Sequence, residues 1–138
     1  MQYEVILFEQ IKVGMNVSYS QTITDIDVKS FASISGDHNP IHLDDDYASK
    51  SPYKKRITHG LISASFFSAL FGTKLPGPGC VYVQQTLNFK RPVYLGDTVT
   101  AIASVTSIDS DKRRVFFDTT CKVKNKVVIY GSAELYVP

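Results

Sequence analysis

His59–Gly72 reads HGLISASFFSALFG. Apolar residues fall on nearly every face of this segment, and a helix without a polar face is a buried one. Its small residues, Ser63, Ala64, Ser65, Ser68 and Ala69, let neighbouring strands approach closely. Gly72 reads as the stop, and LPGPG at Leu75–Gly79 as a hard turn. The apolar run Leu61–Phe71 is broken by three serines and is too short to span a bilayer. One buried helix therefore has to be enclosed by the rest of the chain.

The C-terminal half, from Val81 onward, has a period of two. Val81, Val83, Leu87 and Phe89 fall on one face. So do Val99, Ala101, Ala103 and Val105, then Val115, Phe117, Cys121 and Val123, then Val127, Ile129, Ala133, Leu135 and Val137. Lys124–Lys126, KNK, links the last two runs as a tight hairpin. Four such runs in sequence predict an antiparallel meander, and long strands with one buried helix predict a curved sheet wrapped around it. The fold class expected is α+β. The length, 138 residues, suits one domain over residues 1–138 with one core.

Upstream, Asn16–Ile23 reads as a first strand. Thr24 is placed to cap a helix, with Asp27 at the capping-box position. Val28, Phe31, Ala32 and Ile34 give that helix an apolar stripe, and it ends at Gly36. From Asp37 to Thr58 the periodicity is lost, apart from a helical turn or two over Asp44–Lys50. A long irregular stretch in a compact domain is more often functional than idle. Within it lies SGDHNPIHLD, Ser35–Asp44. A turn needs only its Gly, Asn and Pro, so the histidines and acids require another explanation.

Bulk composition narrows the function. Fifteen Lys and Arg against 13 Asp and Glu leave a net charge of +2, so nothing favours electrostatic capture of nucleic acid or of an anionic membrane. MQYEVILFEQ has no basic region ahead of its apolar residues, which predicts no signal peptide and a cytoplasmic protein. Cys80 and Cys121 have no ligand spacing and read as reduced filler residues. No metal site is expected.

SGDHNPIH, THGLISASFFS, LPGPG and LNFKRPVYLGD together resemble the MaoC-like hydratases, most of all the single-domain (R)-specific enoyl-CoA hydratases. The resemblance covers roughly Phe8 to Val105, and the last two strands fit in outline. Thr58 departs from it, standing before His59-Gly60 where an apolar or small residue is usual, and His38 fills a variable slot. The resemblance implies the hot-dog fold, a homodimer with sites near the subunit interface, and hydration of a trans-2-enoyl-CoA thioester to the (R)-3-hydroxyacyl thioester. It implies no cofactor, coenzyme A being part of the substrate. It also implies that Asp37 and His42 are catalytic and that Ser68 lies near the catalytic aspartate and orients it.

The chemistry asks for the same residue types. Water needs a base as it attacks the β-carbon, and the α-carbon needs a proton. A carboxylate and an imidazole on one loop can both reach a single water. Pro40 narrows the backbone between them, and Asn39 ties the loop to itself. Charge sent to the thioester oxygen needs a donor, which the amide of Gly60 at a helix start supplies. Candidate substrate contacts are His59, packing and hydrogen bonding beside that amide; Phe67, a core residue able to end the acyl pocket; and Arg91. The ordinary reading of Lys90-Arg91, as of Lys54-Lys55-Arg56, is a solvated pair or run. Dehydration of 3-hydroxyacyl thioesters on acyl carrier protein is the same reaction reversed on another carrier. A hot-dog thioesterase usually carries an acid on or beside its central helix, and Gly60–Phe71 has none.

Overall fold

The computed structural model describes Tyr3 and residues 5–138. The element order after a 3-10 turn at Phe8–Gln10 is β1 (Asn16–Thr22), α1 (Asp25–Ser35), α2 (Pro40–Leu43), α3 (Asp45–Ser49), α4 (Gly60–Thr73), β2 (Val81–Gln85), β3 (Asn88–Phe89), β4 (Thr98–Asp109), β5 (Arg114–Val123) and β6 (Lys126–Tyr136). All strands join one antiparallel sheet, ordered β1-β4-β5-β6-β2, with β3 also on β6. The sheet wraps α4, and the fold is the hot dog. No helix among the described residues is long and apolar enough to cross a membrane.

The core lies between α4 and the concave face of the sheet. Ile62, Phe66, Phe67, Leu70 and Phe71 enter it from the helix. Val99, Ala101, Ala103 and Val105 of β4, Val115, Phe117 and Cys121 of β5, and Ile129, Ala133 and Leu135 of β6 enter it from the sheet. Alternation along β4 follows the period-two reading residue for residue. The β5–β6 hairpin closes at Lys124 and Asn125, both at positive φ (49° and 64°), the conformation a two-residue hairpin turn demands. Burial pushes the Cys121 thiol up to about 12 and raises that of Cys80, so both are poor nucleophiles.

The capping box at Thr24 is formed: Asp27 N–H donates to Thr24 Oγ1 at 3.2 Å, and Thr24 N–H to the Asp27 carboxylate at 2.9 Å. Gly36, at φ 80°, closes α1 in the left-handed region.

Four expectations are corrected. Val81, Val83 and Phe89 do not form a buried face, because a register shift after Tyr82 and the break between β2 and β3 turn them outward. The meander comprises β4, β5 and β6 only: β2 pairs with the last strand, not with β4. Helix α4 runs past Gly72 to Thr73, and its outer face, with Leu61, Ser65 and Ser68, is exposed. Ile34 is also exposed, since α1 turns only Val28 and Ala32 fully inward.

Two glycines make opposite predictions. A Cβ on Gly131 of β6 would meet the Thr86 carbonyl oxygen at 1.9 Å, a backbone contact that cannot swing away; one on Gly72 meets nothing within 4 Å. Gly131→Ala is expected to lower unfolding stability by about 1–3 kcal/mol or more. Gly72→Ala is expected to raise it by roughly 0.5–1 kcal/mol. Urea unfolding of both variants measures the contrast.

Candidate active site

The loop between α1 and α4 is built by short-range hydrogen bonds. Asn39 N–H donates to Asp37 Oδ1 at 3.0 Å, Ile41 N–H donates to Asn39 Oδ1 at 3.2 Å, and Pro40 opens α2. Asn39 thus caps the four-residue helix that carries His42, as its composition suggests. His38 points elsewhere, its ring bonded to the Gly36 carbonyl.

His42 is buried, with its Nδ1 2.7 Å from the Ile57 carbonyl oxygen. A carbonyl only accepts, so Nδ1 carries the proton and Nε2 presents a lone pair. That Nε2 lies 4.0 Å from Asp37 Oδ2. Burial holds the imidazole below its ordinary pKa, and neighbouring His59 acts in the same direction. The Ile57 bond and the Asp37 charge oppose them. The carboxylate of Asp37 is itself half exposed.

His59 stacks on His42, ring centroids 3.9 Å apart, and packs against Phe31. Its Nε2 donates to the Asp37 carbonyl at 3.0 Å. Ligating atoms of Asp37, His42 and His59 lie within 4.8 Å of one another. Since the His59 Nε2 proton is committed to a carbonyl, that nitrogen offers a cation no lone pair. The set suits a water better than a metal ion.

The loop is pinned by a residue that composition alone assigns to a solvated run. Arg56, with an 11% exposed side chain, donates from Nε to the His42 carbonyl at 2.7 Å and from Nη2 to Asp25 Oδ1 at 2.6 Å. Arg56 therefore clamps the start of α1 to the residue that bears the imidazole. Lys29 and Arg56 together hold the Asp25 carboxyl below the usual carboxylate range. Lys54 and Lys55 are exposed, as a solvated run should be.

Behind His42 opens a cavity of about 320 Å³, bounded by Gly60 and Ser63 of α4, Ile57, Phe89, Val93 and Ile129, with Lys90 and Arg91 also on its wall. Gly60 is the first residue of α4, where helical N–H groups have no partner within the helix. A Cβ at Gly60 would stand 2.6 Å from the exposed Phe89 ring, which would have to swing aside to admit it. Arg91 donates to the Val127 carbonyl at 2.5 Å. Phe67 is wholly buried and does not line the cavity.

Within one chain Ser68 stands away from Asp37. It is exposed on the outer face of α4, in a separate hollow with Leu61, Ala64, Tyr82 and Val83. The serine on the His42 side is Ser63, wholly buried and one turn into the helix. The two serines lie on different faces of a helix whose faces all read as apolar, so pattern alone does not separate them.

Fold and loop define a hot-dog protein whose acid–base groups sit beside a helix N-terminus. Residues 8–129 match the MaoC-like domain, and the chain belongs to that family, whose matched members include hydro-lyase enzymes. It is 51% identical to an (R)-specific enoyl-CoA hydratase of Rhodospirillum rubrum, over 95% of this chain and 91% of that one. It is 43% identical to a 3-hydroxybutyryl-CoA dehydratase of Methylorubrum extorquens, over 99% and 87%. The solved (R)-hydratase from A. caviae involved in PHA biosynthesis superposes with a TM-score of 0.92 at 36% identity, covering 94% of this chain and 99% of that one.

The depressed pKa of His42 makes stability pH-dependent. The unfolded chain takes up a proton there near pH 6.5, whereas the folded protein does so only at lower pH. The unfolded state therefore binds more protons across that window, and stability falls as pH drops through it. Urea midpoints measured from pH 7.5 down to 5 should decline below 6.5, and His42→Gln should flatten the decline.

Proposed function

We propose that the protein is an (R)-specific enoyl-CoA hydratase, adding water across a trans-2-enoyl-CoA with Asp37 and His42 as the acid–base dyad. The observation that carries the reading is the 4.0 Å gap between Asp37 Oδ2 and His42 Nε2. It is too long for a hydrogen bond, and close to the roughly 4–4.5 Å spanned by two acceptors that share one water. Both atoms accept, so they take both hydrogens of that water and leave its lone pairs for the substrate.

Attack at the β-carbon passes one water proton to the dyad. The electron pair of the double bond moves to the thioester oxygen, where the Gly60 N–H stabilises the enolate. Collapse of the enolate takes a proton from the dyad onto the α-carbon. One dyad serving both carbons from one side makes the addition syn. Water, two side chains and an amide suffice, and no cofactor enters. The names of the relatives support the (R) product and coenzyme A as carrier.

Crotonyl-CoA should lose its enoyl absorbance with the wild-type protein. Asp37→Asn and His42→Ala should each slow turnover about 10²–10⁴-fold, while His38→Ala changes it little. An (S)-specific 3-hydroxyacyl-CoA dehydrogenase with NAD should yield no NADH from the product. Efficient NADH formation would reverse the stereochemical assignment, and near wild-type turnover in either dyad variant would remove the dyad. The acyl-carrier-protein thioester in the same assay tests the alternative carrier.

We also infer a homodimer docked through the β2 edge and the outer face of α4. Val81, Val83, Leu61 and Phe89 expose 45–54% of their surface there, and β2 ends the sheet with one side unpaired. The opposite edge, β1, turns Asn16, Ser18, Ser20 and Thr22 to solvent. On this reading Ser68 orients the partner's catalytic aspartate, not its own. Sedimentation at micromolar concentration should give a dimer that Val83→Asp dissociates with loss of hydration; a fully active wild-type monomer would exclude it.

A further inference from the structure

Helix α2 is only four residues long, too short to hold His42 by itself. A helix leaves its last carbonyls without an internal partner, and His42 stands one residue from the end of α2. Arg56 supplies the missing donor, with its Nε 2.7 Å from the His42 carbonyl oxygen. The next residue holds the rest of His42. The Ile57 carbonyl accepts from His42 Nδ1 at 2.7 Å, and Ile57 N–H donates to the Ile41 carbonyl at 3.3 Å. This segment is fixed from behind, where Thr58 N–H donates to the Val93 carbonyl at 2.7 Å and Ile57 bridges to Tyr94. Ile57 acts through its backbone, which many residues could supply there. Arg56 acts through its side chain, so its identity matters.

We propose that Asp25 and Arg56 form a positioning pair for the reaction: by fixing the His42 carbonyl they set the 4.0 Å gap between Asp37 Oδ2 and His42 Nε2 that one water bridges. This rests on the reading of Asp37 and His42 as the dyad. Arg56 Nη2 donates to Oδ1 of Asp25, the first residue of α1, at 2.6 Å, and Nη1 faces Asp45 Oδ1 at 3.9 Å. A guanidinium is a rigid fork, so holding Nη2 also aims Nε. Neither Asp25 nor Arg56 lines the cavity, so the pair acts through His42 and not on the substrate. Without it the His42 carbonyl loses its donor and α2 is free to shift. A bridging water tolerates little change in the distance between its two acceptors.

The test compares Arg56→Ala, Asp25→Ala and Lys29→Ala with the wild type. With crotonyl-CoA, the first two should lower kcat about 10–100-fold, as a small misplacement does, and leave KM nearly unchanged. Lys29 pairs only with the far oxygen of Asp25, and its variant should keep the wild-type kcat. The second readout is the titration of His42 followed by NMR of its ring. The groups facing that ring, Asp37 and His59, with Tyr53, Lys90 and Arg91 on the cavity wall, are the same in every variant. Burial is the largest influence on His42, so a loosened ring should titrate closer to its ordinary value. Asp25→Ala separates position from charge: loss of a nearby negative charge alone lowers the titration, whereas loosening raises it. A role confined to stability lowers the urea midpoint and moves neither kcat of the folded protein nor the titration. If Arg56→Ala does not fold, Asp25→Ala, altered at a half-exposed side chain, gives both readouts. Wild-type kcat in either folded variant, or a His42 titration in Asp25→Ala that stays or falls, overturns the inference. If the wild type does not hydrate crotonyl-CoA, the proposed reaction falls, and the titrations alone decide whether the pair positions His42.

Discussion

Everything in this molecule depends on how closely a sheet can approach α4. The helix has large side chains on its inner face, Phe66, Phe67, Leu70 and Phe71. The strands opposite answer with small ones: Ala101 and Ala103 on β4, Cys121 on β5 and Ala133 on β6, all buried. Large against small is how facing layers interdigitate at interior density. Aromatic contacts continue the fit, with the rings of Phe71 and Phe117 4.7 Å apart and those of Tyr19 and Phe66 5.6 Å apart. Because the sheet holds the helix along its length, the N-terminus of α4 has a fixed position. A fixed helix start is what a charge-stabilising amide requires, since preorganised donors cost no reorganisation when charge develops.

The loop that faces this helix start is held by different means. Its residues are largely exposed, so apolar burial contributes little to their placement. Backbone and capping bonds at Asp37, Asn39 and Ile41 set its local shape. Longer connections set its position: His42 Nδ1 to the Ile57 carbonyl, Arg56 to the His42 carbonyl and Asp25, and His59 Nε2 to the Asp37 carbonyl. The partners at Arg56, Ile57 and His59 all come immediately before the helix. The chain therefore returns to the loop just before it enters α4, and registers the acid–base groups against the amide over a separation of only a few residues.

The parts of this arrangement readable from sequence are those with a local cause. The capping box at Thr24, the stop at Gly36, the hairpin at Lys124-Asn125 and the period of β4 each arise from neighbouring residues, and each appears as read. The errors share the opposite origin. Whether β2 lies beside β4 or β6 depends on the path around α4, which no alternation encodes. A bulge after Tyr82 turns an apparently buried face outward, and a bulge changes the face without changing the composition. Arg56 reads as part of a basic run because its partners, Asp25 and the His42 carbonyl, are remote in sequence or part of the backbone. Ser63 escapes a sequence reading because a serine among apolar residues looks like a small packing residue.

The two groups of the proposed dyad also differ in environment. His42 is buried, and its burial disfavours the imidazolium. Asp37 is half exposed in the single chain, so solvent screens its charge until something covers it. On the proposed reaction, an occupant that covers the loop removes that screening and strengthens the hold of the carboxylate on the shared water. Burial of the imidazole favours its neutral form, which keeps the Nε2 lone pair available. The protein thus keeps one acceptor permanently dry through its own core, and leaves the other to be desolvated by whatever closes over the loop. On the proposed reading, desolvation of Asp37 then accompanies occupation of the site, and the shared water is held by two desolvated acceptors only there.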